Sequence, residues 1–258
     1  MAEEEKKEVK KIEEVPEEEI KLEEKKEETE IRALTKEEKM NERVEEEIKQ
    51  RLTIWKPKTK LGIDVREGKI KNIDEIFDKG LNILEPEIVD SLLHLKFLFI
   101  RIGQSKGKFG GGKRREWRQT QKKTAEGNVP SFGALAIVGD YAGHVGVGYG
   151  KAKETVPARQ KSIRNAKLNL LRIKRGCGSF DCGCKEPHSI PFSVSGKVGS
   201  VVIKLKPASK GTGLVCDDEC KKVFKLVGIR DLYSRSFGQT RTKFNMIMAC
   251  IDALKKIK

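Results

Sequence analysis

The sequence predicts an α+β protein, built as two basic modules behind an acidic tail. Three observations carry that prediction. Short apolar runs flank glycine turns twice, at 133–149 and at 190–206, as β-hairpins do. Helical periodicity follows each hairpin. Charge is divided unevenly: residues 1–50 hold 20 glutamates against 12 lysines and arginines, −8, whereas 51–258 hold 42 lysines and arginines against 19 acidic residues, +23.

The tail, 1–54, is a Glu/Lys-rich low-complexity stretch. Its apolar residues are too sparse to bury a core, so it reads as disordered or as a solvated single helix held by Glu–Lys pairs. Residues 55–93 read as an extended basic segment, WKPKTKLG at 55–62, followed by two short helices at 73–79 and 86–93. Pro57 pushes Lys56 away from helical geometry. Ile88, Val89, Leu92 and Leu93 recur at helical spacing in the second helix.

The first module spans 94–175. His94–Ile102 reads as a strand. Gly103–Pro130 reads as a loop of 28 residues, rich in glycine and carrying Lys106, Lys108, Lys113, Arg114, Arg115, Arg118, Lys122 and Lys123. Phe109 and Trp117 add stacking surfaces, so the loop reads as one that reaches toward RNA. The hairpin Gly133–Val138 and His144–Tyr149 turns at Asp140–Gly143. A basic helix follows over 155–173, with Val156, Ile163, Ala166 and Leu170 on its apolar stripe. Lys161, Arg164 and Arg172 lie off that stripe, while Arg159 and Lys167 lie at its edges, where long side chains snorkel.

The second module, 176–258, opens on a cysteine-rich joint at 176–188. A second hairpin alternates apolar and polar residues over 190–206. A glycine-rich loop at 207–213, a helix near 217–227 and a strand near 230–236 follow. A last helix begins near Thr242 and turns Phe244, Ile247, Met248, Ile251 and Leu254 inward.

A body with this excess of cations is expected to bind a polyanion through counterion release. Lys151 and Lys153, at the approach to a helix N-terminus, read as phosphate contacts. So do Arg159, Lys161, Arg164, Lys167, Arg172, Lys174 and Arg175 on and after the basic helix. The run Gly146-Val147-Gly148-Tyr149-Gly150-Lys151 matches neither the P-loop nor the dinucleotide fingerprint, which argues against nucleotide binding. No triad or paired-carboxylate arrangement can be assembled, which argues against catalysis. No apolar run approaches the ~18–20 residues a membrane span needs, and Met-Ala-Glu-Glu-Glu is no secretion signal. The expected location is the cytoplasm.

Cys177, Cys182, Cys184 and His188 fall within twelve residues. Two readings stand: a closed, structural tetrahedral zinc site, or ordinary thiols in a glycine turn. Cys216 and Cys220, one helical turn apart, read as small core residues.

From Trp55 to Leu254 the chain resembles the universal small-subunit ribosomal protein number five family, in its archaeal form. The residues that carry the resemblance are WKPKTKLG (55–62), GHVGVGYGKAKE (143–154), IRNAKLNLL (163–171), GCGSFDCGC (176–184), PHSIPF (187–192), GKVGSVVIKLKPA (196–208) and GIRDLYSRSFGQTRT (228–242). The resemblance implies a double-stranded-RNA-binding-like first domain and a second α+β domain. It also implies a place in the small ribosomal subunit near the decoding region and the mRNA entry channel. Contact with ribosomal RNA, with nearby mRNA and with small-subunit protein number four is implied too, as is a part in translational accuracy. In the family the loop between the first two strands reaches ribosomal RNA, and that loop falls on Lys106–Lys123. The alternative reading is a non-ribosomal protein that binds double-stranded RNA.

Overall fold

The computed structural model describes residues 50–105, 107, 114–184 and 186–257. The tail through residue 49, and Lys106, Lys108, Phe109 and Lys113 of the basic stretch, lie outside the described residues. From Lys56 onward the chain forms one unit.

Three short helices lead into that unit: α1 (Lys60–Arg66), α2 (Ile73–Asp78) and α3 (Pro86–Leu92). The expected extended segment at 55–62 is therefore corrected, since α1 begins inside it. Thr59 caps α1, its hydroxyl accepting from the Gly62 amide at 3.1 Å. The amides of Lys58 and Thr59 both donate to Glu85, which holds α1 beside α3. Pro86 sits in the first turn of α3, where its missing N–H costs nothing.

The first sheet contains β1 (Lys96–Phe99), β2 (Trp117–Thr124), β3 (Gly127–Gly139), β4 (His144–Ala152) and β5 (Leu170–Arg172). β3 is central: β4 lies along one edge, and β2 and β1 follow one another along the other. The expected 28-residue loop is thus in large part a β-hairpin, with Trp117–Thr124 paired to Gly127–Ala134. Its outer half is exposed on both faces and shows no apolar alternation, the sequence signal on which a strand assignment rests. Pro130 is tolerated because β4 pairs β3 only from Phe132 onward, leaving that edge open at residue 130.

The inner half of β3 is buried throughout, because its two faces meet different partners. Ala134, Ala136 and Val138 share a face with Gly146, Gly148 and Gly150 of β4, their cross-strand neighbours. Helix α4 (Thr155–Leu168) rests on this face. A Cβ at Gly146 or Gly148 would overlap the Ala166 backbone, and one at Gly150 would overlap that of Ala158 and Ser162. The run Gly146–Lys151 is therefore strand rather than a phosphate-cradling turn. The opposite face carries Leu135, Ile137, Val145 and Val147, which enter the main core.

Helix α4 differs from expectation in two ways. It stops at Leu168, and Leu170–Arg172 turns back to pair with His144–Gly146. Its buried face is Ala158, Ser162 and Ala166, with Lys167 beside them, while Val156 stays 60 % exposed. Contact with a glycine strand selects small residues over large apolar ones. Lys167 is held by Asp90 of α3 at 2.6 Å. Removing either partner strands a buried charge, at a cost of about 3–5 kcal/mol.

The second sheet runs β6 (Val194–Val198), β7 (Val201–Pro207), β9 (Leu232–Phe237), β8 (Leu214–Val215). Helices α5 (Asp218–Val227) and α6 (Lys243–Lys255) supply most of the remaining core: Phe224, Leu226, Ile247, Ile251 and Leu254 pack with Ile203, Leu205 and Leu232. Gly196 repeats the close-packing device, lying against Ala249 and Ala253 of α6. One core joins both sheets, since Ile100, Leu135 and Ile137 pack in the same cluster as Val201 and Phe224.

His144 fastens α2 to the sheet. Its Nδ1 lies 2.6 Å from Asp140 and its Nε2 3.2 Å from Asp74, with Phe77 stacked on the ring. Burial works against its charge, but the hydrogen bond and charge of Asp140, then of Asp74, outweigh it, and the imidazolium pKa is raised. Burial likewise opposes ionisation of Asp140, and the hydrogen bonds from His144 and the Ala142 amide overcome it, lowering that pKa.

Two outcomes are expected. In urea unfolding, Gly148→Ala loses about 1–3 kcal/mol from overpacking, whereas Val156→Ala, on the open face of α4, stays within about 0.5 kcal/mol of wild type. For His144 the raised folded-state pKa makes its charge-dependent stabilisation complete below the unfolded value of ~6.5 and lost as pH rises through the folded value. The stability deficit of His144→Gln, followed from pH 5 to 8 (roughly the window in which histidine titrates), is expected to shrink as pH rises.

Candidate nucleic-acid interface and thiol cluster

Of the cations singled out in the sequence, nine are exposed among the described residues: Arg115, Arg118, Lys122, Lys123, Lys151, Lys153, Lys161, Arg164 and Lys174. Arg118, Lys122 and Lys123 ride on β2 of the hairpin, Lys151 lies next to the last residue of β4 and Lys153 follows that strand, and Lys161 and Arg164 lie on the outer face of α4. Packing that helix against glycine backbone turns each of its long side chains outward or to its rim.

Five others are engaged within the protein. Arg159 lies 5.2 Å from the ring centres of both Phe99 and Trp117 and donates to Glu116 at 2.7 Å. Lys167 is the buried partner of Asp90. Arg172 reaches Asp74 at 3.0 Å and Asp78 at 2.9 Å. Arg175 donates to the carbonyls of Tyr141 and Ala142, and Arg114 to that of Arg241. Sequence spacing does not separate these two groups, because their carboxylate and carbonyl partners lie far along the chain.

A second basic surface was missed in the sequence. One face of the second sheet is covered by α6, whereas the other exposes Lys197, Lys204, Lys206 and Arg235 beside Tyr233 and Phe237. Lys204 and Arg235 are direct cross-strand neighbours, and both cations lie over Phe237, at 5.5 and 5.2 Å. Like charges facing one another across a ladder are unfavourable until an anion joins them. The lysine alternation at 204 and 206 was legible, but its pairing with Arg235 depends on a register only the fold supplies. A groove of about 780 Å³ is lined by Arg175, Lys221, Lys225 and Arg230 together with Glu186 and His188.

The joint brings its four chemical residues together. One ligand-capable atom from each of Cys177, Cys182, Cys184 and His188 lies within 4.8 Å of all the others. Sulfur–sulfur separations are 3.8 Å for Cys184–Cys177 and 3.0 Å for Cys182–Cys184, and His188 Nε2 lies 3.6 Å from the Cys182 sulfur. The cysteines are free thiols. Hydrogen bonds from the Cys184 thiol, then from the amides of Lys210 and Cys184, hold the Cys182 thiol down at about 6. The same sulfur contact pushes Cys184 up to about 11. One thiolate is thus favoured already. Cys216 and Cys220 stay apart from the cluster. Cys220 and Cys250 are buried in the core, and burial pushes the Cys216 thiol up to about 12.

The arrangement suits a binding scaffold: cations on two exposed faces, and a closed cysteine–histidine knot at the joint. No described helix is long and apolar enough to cross a membrane.

Comparison with known proteins agrees with this geometry. Residues 116–174 match the model of "Ribosomal protein S5, N-terminal domain", and residues 196–258 match "Ribosomal protein S5, C-terminal domain". The first match takes in β2, β3, β4 and α4, and the second takes in the second sheet from Gly196 onward with its helices. A small ribosomal subunit protein uS5 of Nanoarchaeum equitans is 54 % identical over 204 residues, 79 % of this chain and 87 % of that one. The uS5 proteins of Staphylothermus marinus and Methanocaldococcus jannaschii are 46 % and 47 % identical, over 80 % and 79 % of this chain and 90 % and 87 % of theirs. With two family domains in order, and more than half of some 200 positions shared with one relative, the chain belongs to the uS5 family of small ribosomal subunit proteins.

Proposed function

We propose that this protein is a structural, non-catalytic constituent of the small ribosomal subunit that holds ribosomal RNA by its phosphates. The observation that carries the reading is the β2–β3 hairpin. Its outer half is exposed on both faces, and it carries Arg118, Lys122 and Lys123 in a chain of the uS5 family. Such cations position a phosphate backbone without reading bases. Lys151, Lys153, Lys161 and Arg164 extend the same contact along α4, and the Lys204–Arg235 face adds a second anchor. Lys106, Lys108 and Lys113 belong to the same basic stretch.

Two anchors on one rigid core bind separate RNA segments at once, so the protein acts as a clamp between them. The reading places it near the decoding region and the mRNA entry channel, beside small-subunit protein number four, in the cytoplasmic ribosome. Its part in accuracy is to bias a conformational equilibrium. Contacts that hold the open subunit oppose closure on a codon, and weakening them raises misreading.

We also infer that Cys177, Cys182, Cys184 and His188 form a structural zinc site. A tetrahedral ion with Zn–S bonds of ~2.3 Å sets sulfurs about 3.8 Å apart. The Cys184–Cys177 separation meets that edge, and Cys182–Cys184, at 3.0 Å, is shorter. When bound, the ion would tie the joint together, with all four positions filled by protein.

The RNA reading is tested by binding a ribosomal RNA fragment across a salt series. The triple variant Arg118→Gln, Lys122→Gln, Lys123→Gln is expected to bind more weakly at every salt concentration. Its log–log salt slope should fall by about 0.7–0.9 for each phosphate the variant no longer neutralises. An unchanged slope and affinity would remove the hairpin from the interface.

A further inference from the structure

His188 has two nitrogens and two neighbours. Nε2 faces the thiols, 3.6 Å from the Cys182 sulfur. Nδ1 is buried, and the Asp231 carboxylate is 2.9 Å away, off the line of an ideal N–H bond. Both side chains are almost fully buried, at 3 % and 5 % exposure. The other oxygen of Asp231 accepts from the amides of Gly211 and Gly213, at 3.1 and 2.8 Å. Its backbone is fixed as well, because the amides of Arg230 and Asp231 donate to the His188 carbonyl, and the Ser189 hydroxyl donates to that of Asp231 at 2.6 Å.

Resting on the zinc reading above, we propose that Asp231 is a positioning residue for the metal. It holds His188 with its proton on Nδ1 and the lone pair of Nε2 toward the ion. A carboxylate behind a ligating imidazole fixes the ring and raises its basicity. Through its second oxygen the same carboxylate ties the ion to the turn at Lys210–Gly213, well beyond the joint along the chain and in a direction that no ligand spacing discloses. The metal would therefore staple three chain segments, the joint, this turn and the start of β9, where the four ligands alone staple one.

Asp231→Asn isolates this role. The amide oxygen keeps the acceptor for Gly211 and Gly213. Its NH₂ group then faces Nδ1, which must accept, so the proton moves to Nε2 and occupies the lone pair the ion needs.

The experiment uses the full chain. Zinc content is measured by plasma mass spectrometry, and affinity by competition with a chromophoric chelator, for wild type, Asp231→Asn, His188→Cys and the double variant. Wild type is expected to hold one zinc. Asp231→Asn is expected to bind it about 10–100-fold more weakly. In the His188→Cys background, where no imidazole remains to orient, Asp231→Asn should change affinity by no more than about twofold. Substituted cobalt gives a second readout: its thiolate charge-transfer bands should persist in Asp231→Asn while its ligand-field bands shift with loss of the nitrogen donor. Equal affinity of wild type and Asp231→Asn overturns the inference while leaving the zinc site intact. An equal loss in both backgrounds, including a shared failure to fold, also overturns it, because the carboxylate then acts on the fold rather than through His188. A wild-type protein without zinc, whose stability is unchanged by Cys182→Ala, instead removes the zinc reading on which the inference rests.

Discussion

Helix α4 lies on a strand that offers it no side chains. Gly146, Gly148 and Gly150 present bare backbone, and Ala134, Ala136 and Val138 continue the shallow surface on β3. The helix answers with Ala158, Ser162 and Ala166, so backbone meets backbone. Much else depends on this contact. It frees the opposite face of the sheet to carry Leu135, Ile137, Val145 and Val147 into the core it shares with the second sheet. It also leaves no room beneath the helix for long side chains. The cations of α4 therefore emerge on its outer face or at its rim, where Glu116 pairs Arg159 and Asp90 neutralises Lys167.

That geometry explains why a basic sequence becomes a directed surface rather than a diffuse cloud of charge. The cations nearest the core are engaged: Arg159 pairs with Glu116 and lies over Phe99 and Trp117, Arg172 reaches Asp74 and Asp78, and Arg175 donates to carbonyls. Exposed cations gather on the β2–β3 hairpin, on the outer face of α4 and on the open face of the second sheet. Because both sheets share one core, these surfaces keep a fixed spacing. A rigid separation between two phosphate-binding surfaces is what a clamp requires and what a flexible basic tail cannot provide.

The joint at 176–188 shows the same economy of means. Among its described residues it forms no regular element beyond a single bridge, Gly176 to Ser189, yet His188 is among the most buried polar residues described. Its order comes from long-range partners, the β9 backbone and the glycine turn before β8. A segment this short of apolar residues has little hydrophobic burial to draw on, so directional bonds to thiols, imidazole and carboxylate take its place.

The α+β class, the presence of a second hairpin (its first strand starts at Val194, not Ile190), the last two helices, the separation of charge along the chain and the four-residue cysteine–histidine cluster were legible in the sequence. Each rests on local chemistry: apolar period, turn residues, charge count and ligand spacing. Tertiary structure decided what depends on a partner far along the chain. It made strands of Trp117–Thr124, whose apolar period is weak because pairing rather than burial holds it, and of Leu170–Arg172, which pairs with β4 after the helix has ended. It made the glycine-rich strand Gly146–Gly150 the floor for a helix, and chose small residues over large apolar ones for the helix lying there. It sorted exposed cations from neutralised ones, and it set Asp231 behind His188. Periodicity reports which face of an element is buried. It carries no record of what does the burying, because that neighbour is fixed only when the chain closes on itself.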